Sequence, residues 1–122
     1  MPAGAKFIIM WTARLCGLLG RVVMSCRLPV KRIEGKSVET VEGIGTPARP
    51  HVIQQAFVAA GAVQCGYCTP GMVVRAKSLL AVNPAPTGDE IVAAFQPHLC
   101  RCTGYAKIID AVHLAANGMA PR

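Results

Sequence analysis

The sequence has 122 residues, enough for one compact core, and 52% of them are apolar but only 5% aromatic. Abundant Ala and Val with few aromatic residues favour close-packed helices over an aromatic-rich β-sandwich. The net charge is +7, but eight of the thirteen basic residues lie in the first fifty positions without forming a run, so we expect no nucleic-acid interface.

The first 46 residues have the character of extended structure. β-branched residues favour strands over residues 21–25 and 37–41. Two prolines follow within the next four residues, and each removes a backbone donor and disfavours helix at the residue before it. We therefore expect a short β unit over residues 1–46 and a second unit over residues 47–122.

From residue 51 onward the apolar residues follow a helical period. Four helices are predicted: over residues 51–62, over residues 70–82, from Thr87 to near Pro97, and over residues 104–116. Thr87 and Glu90 form a capping box at the start of the third helix, whose inward face is expected to carry Ile91, Val92 and Phe95. Asn117 and Gly118 predict a left-handed end to the fourth helix.

The helical unit contains an approximate internal repeat. Each half reads helix, cysteine pair, helix, with Cys65 and Cys68 in the first half and Cys100 and Cys102 in the second. We therefore expect a mainly α fold, in which a four-helix bundle has a pseudo-two-fold axis and both cysteine pairs meet at one end.

No segment of the sequence predicts a membrane anchor or an exported protein. No apolar run approaches the roughly 20 residues that cross a bilayer. Arg14 interrupts the apolar residues near the N-terminus, so no signal sequence is predicted. We expect a cytoplasmic protein, and in that reducing compartment six cysteines are more typical of metal binding or catalysis than of disulfides.

The four cysteines of the repeat suit an anionic metal centre. A helix N-terminus carries partial positive charge and free amides, which lower the pKa of a thiol and donate hydrogen bonds to sulfur. Four thiolates at two helix starts therefore favour a [2Fe–2S] cluster. Two alternatives stay open: a thiol–disulfide oxidoreductase that uses Cys65 and Cys68, and a zinc-stabilised interaction module with a basic surface.

The residues around both cysteine pairs resemble the iron–sulfur subunit of the molybdenum hydroxylases. The resemblance rests on Gln64-Cys65-Gly66-Tyr67-Cys68-Thr69-Pro70-Gly71-Met72 and Leu99-Cys100-Arg101-Cys102-Thr103-Gly104-Tyr105. That family includes xanthine dehydrogenase, aldehyde oxidoreductase, carbon monoxide dehydrogenase and isoquinoline oxidoreductase. The similarity covers roughly residues 21–118.

The resemblance implies a helical [2Fe–2S] domain that passes electrons from a molybdenum centre. By position, Cys65, Cys68, Cys100 and Cys102 would be the iron ligands, and Gln64 and Cys102 would lie against the molybdopterin of a large partner subunit. A flavin-binding subunit would be a further partner. The chain itself would hold no substrate site.

The chain departs from the family before the helical unit, where members carry a ferredoxin domain with a second cluster. Cys26 matches the fourth ligand of that cluster, but the other three ligands have no counterpart, and Cys16 stands at the wrong distance. We therefore expect one cluster only. Residues 1–46 would be an incomplete ferredoxin-like β remnant that lacks partner strands, with a divergent and loosely packed N-terminus over residues 1–15, as a truncated or frame-shifted gene would produce.

Overall fold

The N-terminal part of the chain forms a four-stranded sheet in the computed structural model, which describes residues 6–9, 16–18, 21–23, 26 and 28–119. The strands are β1 (Lys6–Ile9), β2 (Cys16–Leu18), β3 (Arg21–Val23) and β4 (Ser37–Thr40), in the spatial order β3-β2-β1-β4. β2 pairs antiparallel with both β1 and β3, whereas β4 pairs parallel with β1.

The sheet is more complete than the sequence predicts. Strands near residues 21–25 and 37–41 are confirmed as β3 and β4, but β1 and β2 were not predicted. The expectation that the β unit lacks partner strands is wrong, because β4 pairs with β1 along its whole length, from Ser37 opposite Lys6 to Thr40 opposite Ile9. Most of the N-terminus that we expect to be loosely packed, residues 1–5 and 10–15, lies outside the described residues.

Five helices make up almost half of the described chain, which is mainly helical as predicted. They are α1 (Val41–Ile44), α2 (Val52–Ala59), α3 (Thr69–Val82), α4 (Gly88–Phe95) and α5 (Ala106–Met119). The last four are the predicted helices, and the one-turn helix α1 was not predicted. Among these helices, none in the described part of the chain is long and apolar enough to cross a membrane.

Two capping boxes set the starts of α2 and α4. The predicted one is confirmed: the Thr87 hydroxyl accepts from the Glu90 N–H, and the Glu90 carboxylate accepts from the Thr87 N–H at 2.7 Å. A second box was not predicted, because it uses a histidine. There His51 Nδ1 accepts from the Ile53 N–H, while Gln54 Oε1 accepts from the His51 N–H at 2.8 Å.

The core lies between the four longer helices, where α2 packs mainly against α5, and α3 contacts α2, α4 and α5. The largest fully buried side chains are Phe57, Ile53, Met72, Ile91, Ile108, Val74 and Val112. Residues near the sheet extend this core, because Ile44 of α1 is buried in it and Val22 of β3 packs against its edge. Lys77 on α3 also pairs with Glu39 on β4, which ties the sheet to the helices.

Two details of the predicted helices are wrong. Val92 is half exposed, because α4 buries the i, i+4 pair Ile91 and Phe95, and Val92 lies about 100° around the helix from that stripe. The left-handed end at Asn117 and Gly118 does not form, since α5 continues to Met119. Gly118 has a packing role instead: a Cβ there would lie 2.8 Å from Val52 Cγ2, at the start of α2.

Candidate functional site

Two loops that each precede a long helix meet at one end of the helices. The first lies between α2 and α3, and the second lies between α4 and α5. Together they line an open cavity of about 520 Å³, and its lining residues are Cys65, Tyr67, Cys68, Leu99, Cys100, Arg101, Cys102 and Tyr105. The structure therefore brings all four cysteines of the predicted site into one cavity.

The strongest interactions between the four thiols run from one loop to the other. Cys65 shares a hydrogen bond with Cys102, and Cys68 shares one with Cys100. Each pair thus takes one thiol from each loop. A dithiol that worked through Cys65 and Cys68 would need those two sulfurs to be partners, and here each has its partner on the other loop.

In each thiol pair the pKa of one sulfur is lowered and the pKa of the other is raised. Burial opposes ionisation of Cys100, but hydrogen bonds from the Thr103 hydroxyl and backbone outweigh it and lower the pKa to about 7. Burial and the hydrogen bond with Cys100 raise the pKa of Cys68 to about 12. In the other pair, the Tyr67 backbone N–H and the Cys102 thiol lower the pKa of Cys65, and the shared hydrogen bond raises the pKa of Cys102.

The second loop is held by side chains that the sequence analysis did not assign a role. Thr103 Oγ1 lies 3.0 Å from Cys100 Sγ, and the Thr103 N–H donates to the same sulfur at 3.4 Å. The Tyr105 hydroxyl accepts from the Cys100 N–H at 2.9 Å and donates to the His98 carbonyl at 2.8 Å. Both residues belong to the motif that carries the family resemblance, which is the signal that could have pointed to them.

The mouth of the cavity is exposed and lacks acidic groups among its lining residues. Cys65, Cys102 and the neighbouring Gln64 are exposed. Arg101, which lies between Cys100 and Cys102 in the sequence, is exposed as well. Leu99 is 87% exposed, an unusual position for a large aliphatic side chain. Cys26 is exposed and is not among these lining residues, and Cys16 belongs to β2.

The donor set fits an iron–sulfur cluster. All the metal-binding side chains in the cavity lining are thiols, the ligands that such clusters use, and the pKa values of two of them, Cys65 and Cys100, are lowered. Within the described residues, no group of three or more His, Cys, Asp or Glu side chains converges as a site for a single metal ion.

Comparison with known proteins gives the same result. Residues 40–113 match the family described as [2Fe-2S] binding domain. The nicotinate dehydrogenase small FeS subunit of Eubacterium barkeri is 47% identical over 98 residues, which are 80% of this chain and 62% of that protein. Aldehyde oxidoreductase from Desulfovibrio gigas superposes with a TM-score of 0.79 at 42% identity, over 84% of this chain and 12% of that one. For quinoline 2-oxidoreductase from Pseudomonas putida 86 the TM-score is 0.73 at 40% identity, over 81% of this chain and 62% of that one.

The chain therefore belongs to the [2Fe-2S] binding domain family, and the predicted resemblance to the iron–sulfur subunits of molybdenum hydroxylases is confirmed. These relatives are named as a dehydrogenase subunit and two oxidoreductases. The chain spans less than two thirds of the length of these relatives, 62% of the nicotinate dehydrogenase subunit and 12% of the aldehyde oxidoreductase.

Proposed function

We propose that this chain relays single electrons inside a molybdenum hydroxylase complex. A [2Fe–2S] cluster supplies the one-electron redox couple when it is bound. The names of the matched relatives support an oxidoreductase, and the cavity formed by the two cysteine loops supports the place of the cluster. The protein would act in the cytoplasm, where free thiols stay reduced until they bind iron.

The proposed iron ligands are Cys65, Cys68, Cys100 and Cys102. The observation that carries this assignment is the pairing of thiols across the loops, Cys65 with Cys102 and Cys68 with Cys100. A binuclear centre needs two thiolates for each iron, and two such pairs provide them. Because each pair draws on both loops, loss of one cysteine would disturb both halves of the site.

We also propose that the chain consists of a sheet unit and a four-helix bundle. Helices α2 and α3 would form one half, and α4 and α5 the other half, of a four-helix bundle with a pseudo-two-fold axis through the cysteine cavity. The sheet would be a ferredoxin-like unit. The proposed units are residues 1–46 and residues 47–122, and Ile44 of the first unit is buried in the same core as the long helices.

The proposed partner is a large subunit that carries molybdopterin and covers the mouth of the cavity. Gln64 and Cys102 are exposed beside the thiol pairs, where a cofactor on another chain could approach them. Leu99 adds an exposed apolar side chain at the same mouth, which is typical of a surface that a partner covers. A flavin-binding subunit is the proposed acceptor for the onward transfer.

Iron and sulfide analysis of the whole chain tests the cluster. We expect about two irons and two sulfides per chain and a brown protein in air. Cys100→Ser should abolish the cluster, whereas Cys26→Ser, which changes an exposed cysteine outside the cavity lining, should retain it. About one zinc per chain would support the interaction module instead. A metal-free protein with a reactive Cys65 would support the thiol oxidoreductase.

A second experiment tests the role of Gln64. In the reconstituted complex, Gln64→Ala should slow electron transfer from the molybdenum centre and leave the spectrum of the isolated chain unchanged. Gln55→Ala is the matched control, since Gln55 is an exposed glutamine on α2 whose side-chain amide donates to the nearby Pro50 carbonyl. Equal rates for both variants would remove Gln64 from the proposed contact.

A further inference from the structure

Tyr105 has a backbone conformation that tyrosine rarely adopts. Its φ is +68°, and no other non-glycine residue in the described part of the chain has a positive φ. The preceding Gly104 is also left-handed, at +63°. A bulky residue in this region costs about 1 kcal/mol or more, so the surrounding contacts must hold it there.

The hydroxyl group of Tyr105 supplies two of those contacts. It accepts a hydrogen bond from the Cys100 N–H at 2.9 Å and donates one to the His98 carbonyl at 2.8 Å. Both distances are short enough for well-formed bonds. The hydroxyl therefore bridges two points of the loop that leads into the second cysteine pair.

The backbone N–H of Tyr105 also contributes to the position of Cys100, through Thr103. Its N–H donates to Thr103 Oγ1 at 3.3 Å, and Thr103 Oγ1 lies 3.0 Å from Cys100 Sγ. Cys100 is thus held at its amide by the tyrosine hydroxyl and at its sulfur by a threonine that the tyrosine backbone orients. Tyr105 also lines the cysteine cavity, which places these contacts beside the thiols.

We propose that Tyr105 is a positioning residue that fixes Cys100 and keeps the Cys100 N–H directed away from the sulfur atoms of a bound cluster. This inference rests on the proposed function. The reduction potential of an iron–sulfur centre rises with the number of hydrogen bonds to its sulfur atoms. By occupying one amide, the Tyr105 hydroxyl lowers the number of donors and holds the potential down.

Tyr105→Phe tests the proposal, because it removes the hydroxyl and keeps the aromatic ring. In the whole chain with its cluster reconstituted, we expect the reduction potential to rise, since the Cys100 N–H is free to turn toward sulfur. In the metal-free chain, amide hydrogen exchange measured by NMR should become at least several-fold faster at Cys100. An unchanged or lowered potential, or unchanged exchange at Cys100, overturns the proposal.

The chain offers a matched control, because it has only one other tyrosine. Tyr67→Phe removes the same atom from the same cavity at a side chain that is 73% exposed, so it should shift the potential less than Tyr105→Phe does and leave the Cys100 exchange unchanged. If it shifts the potential as much as Tyr105→Phe does, the effect belongs to the cavity in general and the proposal fails.

Two measurements on the wild type test the proposal without the Tyr105 variant. In the metal-free wild type, the Cys100 amide should exchange much more slowly than the amide of the exposed Arg101, and equal rates would overturn the proposal even if Tyr105→Phe does not fold. If the wild type takes up no iron and sulfide, the proposed function fails. Slow exchange at Cys100 would still support the hydrogen bond by which Tyr105 positions Cys100.

Discussion

The two cysteine loops have similar sequences but control their thiols by different means. In the first loop, Cys68 lies at the N-terminus of α3, yet burial and the hydrogen bond with Cys100 raise its pKa to about 12. In the second loop, hydrogen bonds from Thr103 overcome burial and lower the pKa of Cys100 to about 7. Position at a helix start therefore does not decide the ionisation of these thiols. Specific donors and burial decide it.

The same contrast appears in how each loop is anchored. The second loop is tied to itself by the hydrogen bonds of Thr103 and Tyr105, which fix both the amide and the sulfur of Cys100. Cys68 makes no side-chain hydrogen bond that caps its helix, and Pro70 follows within the first turn. In the second loop, hydrogen bonds hold the thiol of Cys100. In the first loop, the thiol of Cys68 is partly buried at the start of α3.

The largest effect expected from this contrast is a difference in thiol reactivity. In the metal-free chain at pH 7, about half of Cys100 is ionised and almost none of Cys68, so iodoacetamide should label Cys100 roughly 100-fold faster, after allowance for the lower nucleophilicity of the more acidic thiol. The Cys100 rate should rise with pH and level off above about 7, because only the thiolate reacts. Mass spectrometry of the labelled peptides measures both rates.

The control for this experiment is the same labelling in denaturing urea. There both cysteines lose their hydrogen bonds and their burial, so their rates should become similar. Comparable labelling of Cys68 and Cys100 in the folded chain would show that the two loops do not differ in the way described.

A smaller effect tests a feature that the loops share. Gly66 and Gly104 have φ values of +82° and +63°, and a Cβ at either position would meet no atom within 4 Å. Replacement by alanine should therefore cost only backbone strain, about 1–2 kcal/mol in the free energy of unfolding. Urea unfolding of the metal-free variants measures the cost.

Gly88→Ala is the matched control for both glycine variants. Gly88 also has open space around it, but it is the first residue of α4 and has no positive φ, so we expect a change within about 0.5 kcal/mol. If Gly66→Ala is as well tolerated as Gly88→Ala, the left-handed turn of the first loop is not required for its fold.

The four longer helices and one helix start, which depend on local pattern, were predicted correctly. Apolar spacing indicated the four longer helices, and Thr87 with Glu90 marked a helix start that the structure contains. These signals work because the residues that decide them lie within one or two turns of each other. The cysteine spacing likewise indicated the correct family, because each cysteine pair and its flanking motif form one continuous stretch of the chain.

Features that depend on distant parts of the chain were not predicted. The parallel pairing of β4 with β1 joins segments some thirty residues apart, and no local pattern reports it. The role of Gly118 depends on Val52 of another helix, so a glycine near a helix end was interpreted as a cap. The thiol pairing across the loops and the left-handed Tyr105 are likewise results of how the two loops meet.

The smallest effect concerns a single hydroxyl group in the second loop. Thr103→Val removes the contact of Oγ1 with Cys100 Sγ at 3.0 Å but keeps the backbone N–H that donates to the same sulfur. The pKa of Cys100 should rise, because its thiolate loses one donor. A hydrogen bond of this kind contributes about 1 kcal/mol, so the ionised fraction of Cys100 at pH 7 should fall about threefold. After the same allowance for nucleophilicity, labelling of Cys100 should slow by roughly 1.5- to threefold.

Thr69→Val is the counterpart in the first loop, where Thr69 follows Cys68 as Thr103 follows Cys102. In the described part of the chain, the Thr69 hydroxyl makes no hydrogen bond to a thiol, so this variant should leave the labelling rates of Cys68 and Cys100 unchanged. Equal slowing of Cys100 by both variants would mean that general loosening of the loops, and not the Thr103 hydroxyl, controls this thiol. Slowing by Thr103→Val alone would show that one donor accounts for part of the difference between two loops of similar sequence.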